Sequence, residues 1–415
     1  MFDLDKWQEI YTSLKKHKLR TFLTAFGVFW GIFMLIVMLG ASKGLENGVM
    51  STLDIATNSV FLWSNKTSEP YKGLKAGRFI RFQNDDVEAL RTQIPEVDVI
   101  APRNVLNGAN VTRKNKSAGF SVFGDVPDYR KVKKMMLLSG RFINEKDMSE
   151  RRKVAIIGEE VQKTLFQKEE NPLGQYITIA GIYFQVVGVF RTFGRGEDIM
   201  EDAKTIHLPH KTLQTAFNQG TAIYWFAFLP KPNIKSAVIE KRVKEVLAAR
   251  HSVAPNDLKA FGSANVEEEI GQVQGLFLGI SGFSWLVSIG TIFAGVIGVS
   301  NIMLITVKER TKEIGIRKAL GATPYSIISL IIQESIVLTL VSGYIGLLIG
   351  VGLVEGLNQL LKSTGSENDF FANPEISPVV AFTAIIVLVV SGALAGLVPA
   401  RKASMVNPVV ALKDE

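Results

Sequence analysis

The chain has no cysteine and only four histidines among 415 residues. Disulfide frameworks, thiolate metal sites and cysteine nucleophiles are therefore excluded, while an oxidising compartment remains compatible with the sequence. The histidines offer one close pair, in His207-Leu208-Pro209-His210. A proline between them spoils a helical metal face, and no third ligand is indicated. G-x-x-x-x-G-K-[ST], H-E-x-x-H and G-x-S-x-G are all missing, so nothing in the chain reads as a P-loop, a zincin helix or a nucleophile elbow. Internal repeats and low-complexity segments are missing as well.

Charge is absent from long stretches. The chain is 47% hydrophobic and 21% charged, and its mean hydropathy of +0.20 averages over two kinds of sequence. Uncharged runs of membrane-spanning length alternate with ordinary soluble composition, as expected for spans joined to a folded domain.

Four spans follow from these runs. Phe22 to Gly40 is 19 residues without a charge, preceded by Lys15, Lys16, Lys18 and Arg20. It exceeds a signal-peptide core, and Leu39-Gly40-Ala41-Ser42-Lys43 is a poor cleavage site, so it reads as an uncleaved helix. Gly271 to Val307 is 37 residues without a charge, far more than the ~20 that a bilayer needs. Asn265 with Glu268 resembles a capping box, and Glu267 to Glu269 suit a helix start. A helix over 266–306 is expected to combine a polar stalk, with Gln272 and Gln274, and a span. Thr323-Pro324 and Ser377-Pro378 each pair an N-cap with proline at the first helical position. They open a third span (324–354), which contains one charge, Glu334, and a fourth (377–400). An intramembrane carboxylate carries a functional hypothesis by default. Near the cytoplasmic face, however, it could simply reach water or a neighbouring helix. Gly275/Gly279, Gly346/Gly350, Gly352/Gly356 and Gly392/Gly396 supply small-x-x-x-small spacings for close helix packing.

Orientation follows from Lys and Arg beside the spans. Residues 1–20 hold five, the segment from Lys308 to Thr323 holds five, the tail from Arg401 holds three, and the loop from Glu355 to Ile376 holds one against four acids. Both termini are expected in the cytoplasm and residues 44–265 outside. The exterior segment from Ala41 to Ile270 carries 33 basic and 27 acidic residues, a net of +6. That balance suits a mixed solvated surface or contact with anionic partners and lipid headgroups. Nucleic acid is not an expected partner.

Residues 1–20 place Leu4, Trp7, Tyr11 and Leu14 on one helical face, an interfacial helix or one packing on a partner. The exterior segment reads as mixed α and β. Strands are expected at 59–63, 120–123, 154–157, 176–179 and 184–190, with helices at 84–93, 159–166 and 234–249. A change from strands to helices near Asn233 suggests two subdomains. Segment 307–323 between the second and third spans alternates in charge sign, carries Ile314, Ile316 and Leu320, and is expected to end as a helix at Gly321. On physical grounds it is either a lever docking on a soluble motor or a basic loop that sets topology.

Several residue sets resemble the MacB/FtsX-type permeases. They are Leu19-Arg20-Thr21-Phe22-Leu23-Thr24, Asn301-Ile302-Met303-Leu304 with the loop that follows, and Pro399-Ala400-Arg401-Lys402-Ala403 with Asn407-Pro408-Val409-Val410-Ala411-Leu412. Pro127-Asp128-Tyr129, Gly140-Arg141-Phe142, Val154-Ala155-Ile156-Ile157-Gly158, Asn171-Pro172-Leu173-Gly174 and Val186-Val187-Gly188-Val189 are similar to the MacB periplasmic core domain. The similarity runs over nearly the whole chain. It implies a membrane protein with four transmembrane helices and a mixed α/β extracytoplasmic domain between the first two (21–43 and 266–306).

It further implies that 307–323 is a coupling helix touching an ATPase, through Glu309, Arg310, Thr311, Glu313, Ile314, Gly315, Arg317 and Leu320. A non-catalytic permease subunit is implied, working by mechanotransmission in the bacterial plasma membrane. MacB itself carries its ATPase ahead of the first span. Here about 20 residues stand there, so ATP and magnesium are expected on a separate subunit, with no cofactor on this chain. A second permease, identical or paralogous, and a periplasmic adaptor with an outer-membrane channel are further expected partners. Within the resemblance, export, lipoprotein release, an FtsX-like control of a cell-wall hydrolase and a sensor role stay open.

Overall fold

The computed structural model describes residues 18–51, 54–193, 197–364 and 371–408. The expected interfacial helix over 1–20 thus lies outside the described residues except for its last three, as does the tail beyond 408. The chain divides into two compact units, one from Met1–Gly48 with Gly275–Glu415 and one from Val49–Gln274.

The first unit is helical. Four helices are long and apolar enough to cross a membrane: Lys18–Ser51, Val266–Glu309, Pro324–Thr364 and Pro378–Ser404. Their start signals work as the sequence suggests. Asn265 Oδ1 accepts from Glu268 N at 3.3 Å, and Ser377 Oγ accepts from Val379 N, with Pro378 opening the helix. The second helix has 44 residues, about 66 Å at 1.5 Å per residue. Its first turns belong to the outer unit and the rest to the helical unit. The third helix runs to Thr364, past the expected end at 354. Glu355, Leu357, Gln359, Leu360 and Lys362 are helix formers, and Asn358 is buried.

One core runs through the bundle. Val28, Ile32, Leu35 and Ile36 of the first helix meet Ile292, Val296, Val299 and Met303 of the second, with Ile327, Ile331, Leu338, Ala384, Leu388 and Ala395 from the other two. The spacing within each set is that of one helical face. The glycine spacings divide. A Cβ on Gly346 would stand 2.5 Å from Phe29 O, and Cβ atoms on Gly392 and Gly396 would each meet a hydroxyl oxygen at 2.2 Å, on Thr339 and Ser335. Gly275, Gly279, Gly352 and Gly356 face open space, so those two pairs hold no helix close.

The second unit is α/β. Its strands are β1 (Val60–Ser64), β2 (Phe82–Gln83), β3 (Val97–Arg113), β4 (Lys116–Asp125), β5 (Met135–Gly140), β6 (Val154–Gly158), β7 (Tyr176–Ile179), β8 (Ile182–Thr192), β9 (Thr205–Pro209), β10 (Ala222–Ile223), β11 (Trp225–Pro230) and β12 (Phe261–Asn265). Ten of them form one sheet in the order β12-β1-β11-β3-β4-β9-β6-β8-β5, with β7 against β3 and β8. The first half of β3 pairs with β11 and the second half with β4.

Two main cores lie on either side of that division. Val60, Leu62, Phe82, Leu90, Phe226 and Phe228 pack with Ile239, Val243 and Leu247 of the helix Ser236–Arg250. Val111, Val122, Ile157, Phe184, Val186, Ile206 and Leu213 make the other. The boundary is therefore not at Asn233. One core takes both flanks of the chain segment and the other takes its middle, because β3 is shared between them.

Candidate functional site

Between the second and third spanning helices lies a short helix, Thr311–Ala319. Gly321, at φ +96°, ends it: Gly321 N donates to Lys318 O and Ala322 N to Arg317 O. Glycine adopts that backbone without strain, which is why the helix stops there.

The inward side of this helix is locked to the bundle at both ends. Ile314 is 8% exposed and joins the bundle core, and Gly315 beside it is buried. Arg310 directs one side of its guanidinium to Glu313 at 3.0 Å through Nε and Nη2. Its Nη1 approaches Glu334 Oε2 at 3.4 Å. Arg317 adds a contact of 2.9 Å to Glu313. Glu334 is 3% exposed, so its carboxylate sits in a low-dielectric site where a facing guanidinium counts strongly. At the other end, Lys318 Nζ donates to the carbonyl oxygens of Ser404 at 2.8 Å and Val406 at 2.7 Å. A cation over the last carbonyls of a helix satisfies groups that have no partner within it.

The outward side is a narrow strip. Glu309, Lys312, Ile316, Ala319 and Leu320 are exposed, Leu320 at 83% and Ile316 at 44%. Residues 312, 316, 319 and 320 follow the spacing of one face. Among the eight loop residues singled out from sequence, Arg310, Glu313 and Arg317 form an ion network with Glu334. Ile314 and Gly315 turn inward, and Thr311 bonds Val307 O and Lys308 O. Glu309 and Leu320 are exposed. Lys318 was not among them. A lysine in a last helical turn was visible in the sequence, but its partners 86 and 88 residues away were not.

The second spanning helix is also fixed at its start. Val266 N donates to Ser59 O at 3.0 Å, and Glu267 Oε2 accepts from Ser236 N at 2.7 Å, capping the helix Ser236–Arg250. Glu267 thus serves a neighbouring helix rather than its own. The start of this helix is thus bonded to Ser59 and Ser236 within the α/β unit, and its last residue, Glu309, directly precedes Arg310.

The two histidines of His207-Leu208-Pro209-His210 take separate partners. His207, in β9, contacts Asp125 through Nδ1 and Thr205 through Nε2, while His210 Nε2 meets Asn104 Oδ1 at 3.1 Å. Asp125 is fully buried. Burial alone would raise its carboxyl, but Arg103, bidentate on it, and His207 outweigh that and hold it far below the carboxylate range. Arg103 is enclosed by Phe123, Tyr129 and Trp225. The arrangement joins β3, β4 and β9 where the two cores meet. No group of three or more metal-ligating side chains stands together among the described residues.

Residues 21–246 match the model of the MacB-like periplasmic core domain, and residues 285–408 match the FtsX-like permease C-terminal model. The chain is 31% identical over 417 residues to the pyoverdine export ATP-binding/permease protein PvdT of Pseudomonas putida. It is 27% identical over 420 residues to the macrolide export ATP-binding/permease protein MacB of Psychrobacter cryohalolentis. Each alignment takes in 99% of this chain, and the chain spans about 60% of the length of these relatives. Among solved structures, the periplasmic region of MacB from Actinobacillus actinomycetemcomitans aligns with 53% of this chain and 94% of its own. That alignment has 21% identity and a TM-score of 0.43.

Proposed function

The chain belongs to the MacB/FtsX-type permeases, and from that membership we propose that it couples an ABC-type ATPase to motion of its extracytoplasmic domain for export. It is a multi-pass membrane protein with four transmembrane helices, the α/β domain lying between the first two. In the proposed cycle, ATP is bound by an ABC-type ATPase on a separate subunit. The helix Thr311–Ala319 docks on that subunit. The basic segments beside the spans support a cytoplasmic side for both termini and for this helix. The second spanning helix carries the motion outward, and two permease subunits work together. Export is the reading that the relatives' names favour, for macrolides and for pyoverdine. A periplasmic adaptor and an outer-membrane channel complete the proposed assembly.

One observation carries this reading. The helix Thr311–Ala319 is tied to the bundle along one side by Arg310 with Glu334, by Ile314 and by Lys318, and presents Ile316 and Leu320 on the other. A helix fixed behind and apolar in front transmits a push without absorbing it, and an exposed apolar strip fits an interface core.

The test changes only the outward side. Ile316→Glu with Leu320→Glu, in the chain reconstituted with its ATPase, is expected to lower permease-stimulated ATP hydrolysis about tenfold or more, one interface hot spot's worth. The melting temperature should not move. Full stimulation in the double variant would reject the docking assignment. Reversing Arg310 and Glu313 is a poorer test, because it would set a second carboxylate against buried Glu334.

A further inference from the structure

An open cavity in the α/β unit lies apart from the helix Thr311–Ala319 and its ion network. It is an open groove of about 660 Å³ on the outer face of β6, β7 and β8, within the range of small-molecule sites. The alternation of β8 builds its floor. Phe184 and Val186 turn into the core, while Tyr183, Gln185 and Val187 face out. Tyr176 of β7 lies opposite Gln185, and Tyr183 sits two residues along, opposite Thr178. The two tyrosines are therefore diagonal neighbours on one face. They are 57% and 66% exposed, so both rings are open to a flat partner.

Cations flank the tyrosines. Arg141, Arg152 and Lys153 line the groove, and no carboxylate does. Arg141 is held in place from behind by Asp147, at 2.5 and 3.0 Å, and by Phe142 O at 3.0 Å. Arg152 is held by Glu150 at 2.8 Å. The Arg141 guanidinium is thus preorganised by buried Asp147, and little ordering entropy is lost when a ligand meets it. No ion pair among the described residues involves Lys153, which is exposed at the start of β6. Two guanidiniums, an ammonium without an ion-pair partner among the described residues and two aromatic rings beside Val187 match a ligand with an acidic end and a flat ring.

We propose that this groove binds small aromatic organic anions, with Arg141, Arg152 and Lys153 holding the acidic group and Tyr176 and Tyr183 the ring. A glutamate-rich peptide segment of a partner protein is the competing occupant. The groove favours the smaller ligand, because its cations and its tyrosines line one open space of about 660 Å³. This inference does not rest on the transport reading, since binding is measured without ATP and without an ATPase.

The full chain in lipid nanodiscs would be titrated with 2-naphthoate, followed by saturation-transfer NMR and corrected against empty nanodiscs. Binding is expected to weaken about tenfold in Lys153→Glu, where attraction turns to repulsion, and about fivefold in Tyr183→Ala, where a ring contact is lost. The neutral analogue 2-naphthylmethanol should bind about tenfold more weakly than 2-naphthoate. Lys163→Glu, on an exposed helix outside the groove, should change nothing. Equal affinity in the wild type and both groove variants, equal affinity for the neutral analogue, or no 2-naphthoate binding at all would each overturn the proposal. Capture of a glutamate-rich peptide in place of 2-naphthoate would also overturn it, and would assign the groove to a protein partner.

Discussion

The ammonium of Lys318 sits over the end of the fourth spanning helix, donating to the carbonyl oxygen of Ser404 at 2.8 Å. A second bond, to Val406 O at 2.7 Å, makes this lysine a tie between the short helix Thr311–Ala319 and the segment that follows the fourth spanning helix. Charge-assisted bonds to helix-terminal carbonyls contribute about 1.5–3 kcal/mol.

Lys318→Met is therefore expected to cost about 2 kcal/mol of stability and to lower permease-stimulated ATP hydrolysis. Lys318→Arg, which keeps the charge and the donors, should retain most of both. The measurements are a thermal melt of the purified chain and the ATPase rate of the reconstituted pair. Loss of stability with normal coupling would mean that the tie holds the fold and has no part in the lever.

The close approach at Gly346 makes a second expectation. A Cβ there would lie 2.5 Å from Phe29 O, whereas one at Gly356 would meet nothing within 4 Å. Gly346→Val should destabilise by about 1–3 kcal/mol through forced separation of the first and third helices. Gly356→Val should stay within about 0.5 kcal/mol. Melting temperatures of the two variants in the same detergent compare them directly. Equal effects would show that helix propensity, and not the contact, sets the cost.

His210 gives the α/β unit a defined acid limit. Burial pushes its imidazole down to about 4, with Asp125 opposing the shift and Lys211 adding to it. The unfolded chain takes up the proton near pH 6.5, well before the folded one does. The stability that neutral His210 contributes is therefore complete above about pH 6.5 and is lost as pH falls towards 4, by about 3 kcal/mol in all. Hydrogen exchange of β9 amides in the full chain, compared at about pH 7 and pH 4.5, should show this loss. His210→Gln should remove most of the difference. An unchanged pH dependence in that variant would assign the loss to other groups.

Much of this architecture was legible along the chain. Uncharged runs, the caps at Asn265 and Ser377, the stop at Gly321 and the α/β composition between the first two spans all act locally, so neighbouring residues suffice to read them. The helix expected at 84–93 is Asn84–Gln93, and the strands expected at 154–157 and 176–179 lie within β6 and β7. β3 was not legible. Pro102, Arg103, Asn104, Asn107, Gly108 and Asn110 are poor strand formers, and they are extended because β11 and β4 pair with them on either half. β9 hid for a related reason, its apolar residues broken by His207 and Pro209, although all five of its residues are buried.

The sequence by itself determined that the chain crosses a membrane four times, that a large α/β domain follows the first span, and that a charged helix follows the second. Hydrophobic length, capping and charge order are properties of neighbours in the chain, and the bilayer reads them in that order. Only the tertiary structure decided which side of the charged helix is free. Ile314 and Ile316 are equally apolar and two residues apart, yet one is buried in the bundle and the other is exposed. That choice was made by Glu334 and Ser404, residues on other helices that fix Arg310 and Lys318. Likewise, four glycine spacings looked alike in sequence, and the presence or absence of a facing helix decided which of them matter.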